Sequence, residues 1–432
     1  MKWAQTMTDN MKRIIISITL LLGALSLQGQ DYMVPELADA LRQDLMRVGG
    51  NLIPYSHGDL SETPPPCGYK PFYISHYGRH GSRHTWAGDR YELLFGVFGK
   101  ADSLGILSDG GRAAWREAQL VYEAWNGMDG RLSPRGVEEH KEIAHRMVKR
   151  YPAVFKGTPH IRAISSTVQR CLVSMAAFSS AMAADRPRAQ WSFDTGERLM
   201  HYIGDTGTAT PDVTELRNTL RERKWNFQVD SNAVLGKMFT DSVAAVRLIP
   251  SIKEFNRSLL HVATISRCWD VDDYILAQMP FEMLYQDYSY DAHRTFAKYG
   301  DAAEVSRERL ASAHLMVDDI VAKADEAIAG GEYAVDLRFG HDYPLHVLVA
   351  YLGVEGPGSK LNFDEIDKYW WQWRELCMAS NLQMIFYRNR AGHVLVKFLY
   401  QEQERRLRKL ESFSGPYYEW DVVKANLEGF RR

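Results

Sequence analysis

Short runs of β-prone residues, each followed by a polar loop, recur along the chain. The first run covers residues 72–75, and segments 160–167 and 334–342 repeat the same order of strand and loop. The last two segments lead into apolar stretches of helical length, at 168–184 and 343–352. Strands that are each followed by a buried helix are typical of parallel sheets. The pattern therefore predicts an α/β fold with a mixed, mostly parallel sheet flanked by helices.

Boundary signals flank the two apolar helices. Pro344 stands near the start of the later helix, and Gly353 follows its end directly. This order of proline and glycine is typical of helix termini. Before the earlier helix, Ser166 or Thr167 is the predicted N-cap, since either hydroxyl could accept a backbone N–H.

Near the C-terminus, residues 383–388 and 393–400 have the pattern of two more strands. The intervening stretch 389–392 contains Asn and Gly, which are typical of tight turns. The sequence therefore predicts a β-hairpin at this end of the sheet.

Between the second and third strands lies a long region that mixes charged and apolar residues at helical spacing. We expect it to form a smaller helical domain inserted into the sheet domain. Its predicted helical stretches are 213–223, 244–260 and 305–329. The predicted division is a signal peptide at 1–29, an α/β core at 30–205 and 329–432, and a helical insert at 206–328.

The N-terminus has the order of a secretory signal peptide. Lys12 and Arg13 precede an apolar run at 14–27, and small and polar residues follow, with cleavage expected near Gly29. The run is too short for a comfortable membrane span. A membrane anchor or a buried helix is the alternative. The signal predicts a periplasmic or secreted protein with no stable membrane span after cleavage.

Charge and cysteine content restrict the possible partners. The formal net charge of the 432 residues is −2, so no global basic field exists to hold nucleic acid. The four cysteines show no CxxC spacing, which disfavours a zinc site. They could form one or two disulfides in an oxidising compartment, or they could remain buried thiols.

The loop after the first strand reads Arg79-His80-Gly81-Ser82-Arg83. Phosphoryl transfer requires a nucleophile and cationic donors around the phosphoryl oxygens, and this loop supplies both. Two nearby guanidinium groups also depress the pKa of His80 and favour the neutral, nucleophilic imidazole. The alternative is a solvated surface loop with incidental charges.

Two further candidates follow the other strands. Asp342, beside His341, is a reasonable general acid, although a carboxylate at this position could instead cap the next helix. Arg170 lies in the first helical turn after the second strand, where it could bind an anion or lie on a solvated face. Sites in α/β sheets form beyond the carboxyl ends of the strands. We therefore expect the three clusters to meet in one crevice.

Together these motifs resemble the histidine acid phosphatase branch of the histidine phosphatase superfamily, which includes phytases and multiple inositol polyphosphate phosphatases. The motifs are Arg79-His80-Gly81-Ser82-Arg83, Ser165-Ser166-Thr167 with Arg170, and His341-Asp342. The resemblance runs from about residue 50 to residue 400. Stretches 68–84 and 378–397 are most similar to exported members from Bacteroidetes.

The resemblance implies hydrolysis of phosphate monoesters, with small phosphorylated molecules as substrates, no metal and no other cofactor. His80 would be the nucleophile, and Asp342 would act first as acid and then as base. The phosphoryl oxygens would be bound by Arg79, Arg83, Arg170 and His341.

The chain departs from the family pattern at two places. Thr85 stands where the early motif usually has proline, next to the bulky His84. Inositol polyphosphate phosphatases often have Glu two residues after the late His, where this chain has Tyr343. The second difference favours a phytase-like or general acid phosphatase. Alternatives are a mutase-like phosphoryl transferase and a non-catalytic phosphate-binding protein on the same scaffold.

Overall fold

A computed structural model describes residues 33–85, 88–204, 214–215, 218 and 230–429. The predicted signal peptide, and most of the predicted helix at 213–223, lie outside the described residues.

Ten strands occur in the described part of the chain, and eight of them form one central sheet. They are β1 (Lys70–Arg79), β2 (His160–Ser165), β3 (Gln190–Thr195), β4 (Asp301–Ala302), β5 (Tyr333–Gly340), β6 (Lys360–Leu361), β7 (Asn381–Arg388), β8 (Val394–Tyr400), β9 (Gln403–Arg405) and β10 (Tyr417–Glu419).

The central sheet has the order β10-β8-β7-β1-β5-β2-β3, with β9 paired to β8. Strands β1, β5, β2 and β3 are parallel neighbours. Strand β7 runs antiparallel to both β1 and β8, so β8 has the same direction as β1. The predicted mixed, mostly parallel sheet is confirmed. The predicted hairpin is confirmed as well, because β7 and β8 pair antiparallel, and Gly392 takes a φ of 86° in the turn between them.

The described residues form sixteen helices. They are α1 (Pro35–Gln43), α2 (Gly88–Ser103), α3 (Asp109–Trp125), α4 (Pro134–Arg150), α5 (Gln169–Asp185), α6 (Glu197–Ile203), α7 (Ala233–Met238), α8 (Ser242–Leu248), α9 (Ile252–Ala263), α10 (Ile275–Gln278), α11 (Phe281–Tyr299), α12 (His314–Ile328), α13 (Asp342–Leu352), α14 (Ile366–Tyr369), α15 (Gln372–Glu375) and α16 (Trp420–Gly429). Short 3₁₀ segments are Leu45–Leu52, Ser266–Trp269, Arg307–Ala313 and Phe363–Glu365.

One predicted helix end is confirmed and another is wrong. Gly353 ends α13 in the left-handed conformation at φ 70°, as its position predicts. The predicted cap of α5 is wrong, because the N-cap is Val168 and no side chain caps the helix. The Ser166 hydroxyl accepts the Val168 N–H at 3.3 Å, which holds the turn before the helix.

Two predicted long helices are broken. The stretch 244–260 divides into α8 and α9, because Pro250 lies between them and disfavours helical backbone at Ile249. The stretch 305–329 begins as the 3₁₀ segment Arg307–Ala313 before α12 starts.

Three hydrophobic clusters hold the molecule together. One packs α4 and α5 against one face of the sheet, and a second packs α12, α13 and α16 against the other. The third unites α1–α3 with α7–α11 and the residues 361–376. The division into core and insert at 206–328 stays a prediction. The packing shows that helices on both sides of this segment in sequence belong to the same helical cluster.

The described residues contain no helix that is long and apolar enough to cross a membrane. All four cysteines fall within the described residues and are unpaired. Cys67 is exposed and the other three are buried. Of the two alternatives for the cysteines, the structure therefore has free thiols.

Glu402 connects the turn after β8 to α4. Its buried carboxylate accepts hydrogen bonds from Arg146 Nε and Nη2, at 3.0 and 2.8 Å, and from the Tyr55 hydroxyl at 2.9 Å. We predict that Glu402→Ala lowers the free energy of unfolding by about 2–3 kcal/mol, since the substitution leaves the buried donors of Arg146 and Tyr55 without their acceptor. Glu142→Ala removes an exposed partner of the same Arg146 and should cost about 0.5 kcal/mol or less. Denaturant titration of both variants tests this, and equal losses would contradict it.

Candidate active site

The loop after β1 is held by backbone hydrogen bonds from two directions. The Arg79 N–H donates to Ser380 O at 2.9 Å, and the His80 N–H donates to Gly340 O at 3.0 Å. Gly340 ends β5, the parallel neighbour of β1. The two strand ends therefore bring the Arg79-His80 pair next to the residues that follow β5.

The three polar clusters meet at this edge of the sheet. The ring centroids of His80 and His341 lie 5.7 Å apart. Arg79 Nη2 lies 3.2 Å from Asp342 Oδ2, and Arg170 Nη2 lies 3.3 Å from His341 Nδ1. The expected convergence is confirmed for residues that are far apart in the sequence.

Arg79 is completely buried and fixed through one of its nitrogens. Nη1 donates to Asn51 O at 2.6 Å and to Leu376 O at 2.7 Å. The buried Nε and Nη2 make no hydrogen bond to any described residue, although Nη2 lies beside Asp342. Buried donors are rarely left unpaired, and a guanidinium edge matches the geometry of phosphate. The unpaired Nε therefore indicates an anionic ligand, whereas Nη2 already forms an ion pair with the Asp342 carboxylate.

His80 is a buried, neutral imidazole. Its Nδ1 lies 3.0 Å from Gly81 O, which can only accept, so Nδ1 carries the proton and Nε2 keeps its lone pair. Burial lowers the pKa of His80 well below its usual value, and Arg79, Arg83 and Arg170 lower it further. The sequence predicts the effect of charge, and the structure adds burial as the larger cause.

Arg83 completes a group of three guanidinium ions. Burial lowers the pKa of Arg83 to about 10, and the positive charges of Arg170 and Arg79 contribute. It stays protonated at neutral pH, and Nη1 donates to His84 O at 3.0 Å. Like charges in a partly dry site repel one another, so a bound dianion would relieve the repulsion.

His341 is oriented through both ring nitrogens. Arg170 can only donate to Nδ1, so the ring proton lies on Nε2, which is 3.2 Å from the Ser166 hydroxyl oxygen. The ring stacks on Tyr343 with centroids 5.4 Å apart. Burial lowers the pKa of His341 to about 4, and Arg170 adds to the effect, so the ring is neutral at neutral pH.

Asp342 is the first residue of α13 and does not cap it, because the N-cap position is His341. Its Oδ1 accepts the N–H of Tyr343 at 3.0 Å. Burial raises the pKa of Asp342, but Arg79 and Arg83 outweigh it and the pKa lies below its usual value. The site without ligand therefore holds a carboxylate, which a bound phosphate would make easier to protonate.

Sequence reasoning missed the residues that support this group. Glu139 on α4 accepts the Ser82 N–H at 2.7 Å and the Ser82 hydroxyl at 2.6 Å, which fixes the loop after His80. Asn51 contacts Asp342. Neither residue stands in a recognisable motif, so a single sequence offers no signal for them.

Other charged residues near the strand ends lie elsewhere. Arg162 pairs with Asp336, and Arg338 pairs with Asp319, so neither arginine is among the residues that converge on His80. His76 belongs to β1, and its buried ring packs against the rings of Phe178 and Phe339.

The family of the chain follows from its sequence. Residues 79–401 match the family model of the histidine phosphatase superfamily (branch 2), and the chain belongs to that family. Over 229 residues, 50% of the chain, it is 28% identical to multiple inositol polyphosphate phosphatase 1 of Gallus gallus. The match spans 46% of that protein, so the chain aligns with about half of its curated relative.

Solved structures share the fold. The multiple inositol polyphosphate phosphatase of Bifidobacterium longum, in complex with inositol hexasulfate, superposes with a TM-score of 0.69 at 18% identity, covering 88% of this chain and 97% of that one. The phytase from D. castellii gives 0.64 at 12% identity, covering 93% and 88%. The mixed α/β architecture is therefore that of the histidine phosphatases.

The loop after His80 packs against the start of α4 without space for a side chain. A Cβ at Gly136 would lie 2.7 Å from the Ser82 backbone nitrogen and still closer to its carbonyl oxygen. We predict that Gly136→Ala displaces this loop and lowers kcat/KM by about 10- to 100-fold. Gly96→Ala is the matched control, because nothing lies within 4 Å of its Cβ. Steady-state assays of phosphate monoester hydrolysis by both variants test this prediction. An unchanged kcat/KM in Gly136→Ala would refute the packing argument.

Proposed function

We propose that this chain hydrolyses phosphate monoesters through a covalent phosphohistidine on His80. The observation that carries the proposal is a buried neutral imidazole surrounded by three guanidinium groups. The proposed phosphate-binding residues are Arg79, Arg83, Arg170 and His341, and the proposed acid and base is Asp342.

In the first step, His80 Nε2 attacks phosphorus while the bond to the leaving oxygen breaks. The arginines neutralise charge on the phosphoryl oxygens, and Asp342 gives its proton to the leaving alcohol. In the second step, Asp342 takes a proton from water as the water oxygen attacks the phosphohistidine. Phosphate then leaves, and His80 regains its lone pair.

The proposed substrates are inositol polyphosphates such as phytate. The relatives support this class, since one is named a multiple inositol polyphosphate phosphatase and another a phytase. The preference for phytase-like activity drawn from His341-Asp342 stays a prediction, because both kinds of enzyme are among the relatives. Export through an N-terminal signal peptide to the periplasm or medium is also part of the proposal, and its support is the sequence pattern alone.

Phosphate release from phytate and from an aryl phosphate, with a chelator present, tests the proposal. We predict that the chain is active and that His80→Ala loses about 1,000-fold or more in kcat, because the variant lacks the proposed nucleophile. His57→Ala is the control, since this exposed histidine bonds only its own loop. Activity that survives in His80→Ala would refute the proposed nucleophile.

The role of Asp342 predicts a dependence on the leaving group. An alkoxide needs a proton as it departs, whereas a phenoxide of low basicity needs little help. We expect Asp342→Asn to lower kcat/KM, which does not include the later hydrolysis of the phosphohistidine, about 100-fold or more for an alkyl phosphate and much less for 4-nitrophenyl phosphate. Equal losses on both substrates would contradict a general acid at this position.

A further inference from the structure

We infer that Asn51 is a positioning residue that anchors the carboxyl group of Asp342 for proton transfer. The inference rests on the proposed function and names a residue outside every motif of the sequence. Asn51 Nδ2 donates to Asp342 Oδ2 at 2.6 Å. The carbonyl of the same residue accepts Arg79 Nη1 at 2.6 Å. One residue therefore sets the distance between the proposed acid and a phosphate-binding guanidinium.

The backbone around Asn51 is rigid. Gly50 adopts φ 54°, and a Cβ there would overlap the side chain of Gln372. The carbonyl of Ile53 accepts the N–H of Met378 at 2.8 Å, within the segment that also holds the loop of His80. Asn51 is thus attached to the same support as the nucleophile.

The donors around Asp342 assign its two oxygens to different tasks. Oδ2 accepts from Asn51 and faces Arg79 Nη2, so it is the poorer site for a proton. Oδ1 accepts only the Tyr343 N–H and keeps a lone pair. When a phosphoryl oxygen binds Arg79, Asn51 becomes the remaining side-chain donor on Oδ2, and Oδ1 carries the proton.

The neutrality of the amide is essential to this arrangement. A cation in place of Asn51 would keep Asp342 ionised even with phosphate bound. An amide holds the carboxyl in place and still lets it gain a proton when the substrate brings negative charge. The hydrogen bond stabilises the charged form, so its loss raises the pKa of Asp342.

Asn51→Ala is the direct test, because it removes the side-chain donor and keeps the backbone carbonyl. We expect kcat/KM for an alkyl phosphate to fall about 10-fold, with a much smaller loss for 4-nitrophenyl phosphate, because kcat/KM does not include the hydrolysis step that both substrates share. The alkaline limb of the kcat profile should move upward by up to about one pH unit. A merely structural role would lower kcat/KM for both substrates alike and leave the alkaline limb of the kcat profile in place.

Asn51→Asp provides a second variant. It places two carboxyl groups at hydrogen-bonding distance, where they share a proton, so the alkaline limb should move further than in Asn51→Ala. Asn256→Ala is the matched control, because the buried amide of Asn256, on α9, donates to Ser231 O at 3.0 Å. Asn256→Ala should leave unchanged both the alkaline limb of the kcat profile and the ratio of activities on the alkyl phosphate and 4-nitrophenyl phosphate. Circular dichroism and thermal unfolding establish that each variant is folded.

The outcomes distinguish the role of Asn51 from the phosphohistidine mechanism. An unmoved limb, or equal losses on the two substrates in folded variants, would overturn the role of Asn51 while leaving the phosphohistidine mechanism intact. If Asn51→Ala does not fold, Asn51→Asp decides by the same two readouts. Full activity of His80→Ala would refute the proposed function, and the inference about Asn51 would fall with it.

Discussion

The site depends on concentrating positive charge around an imidazole that stays uncharged. Burial and three guanidinium groups both disfavour protonation of His80, and the carbonyl of Gly81 fixes the proton on Nδ1. Neither burial, nor positive charge, nor this hydrogen bond would alone define both the charge and the tautomer of the His80 ring. Together they leave a lone pair on Nε2 in a field that attracts a dianion, as the proposed in-line attack on a phosphate monoester requires.

The rest of the fold keeps these charges in place. Strands β1 and β5 end side by side, so the proposed nucleophile His80 and the His341-Asp342 pair follow neighbouring strands. The same edge receives Arg170 from α5, after β2. Backbone carbonyls supply much of the support, since Asn51 O and Leu376 O hold Arg79 without neutralising it.

The sequence predicts which segments converge at the site because those segments directly follow strands, and the chemical roles of their residues stay proposals. The order of strand, loop and helix is a local pattern, so β1, β2 and β5 and the residues after them were identified. The predicted helix through 244–260 is wrong, although Pro250 is a local signal for a helix break. Other features depend on contacts between distant segments. The helical cluster gathers residues 35–52 and 361–376, and Asn51 reaches Asp342 only in the folded chain.

Rapid quenching of the enzyme during turnover of a substrate with labelled phosphate tests the central claim most directly. The account predicts a label that is stable in base, labile in acid and located on Nε2 of His80, because Nδ1 holds the proton bonded to Gly81 O. A label on another residue, or turnover at full rate with no labelled protein at any quench time, would contradict it.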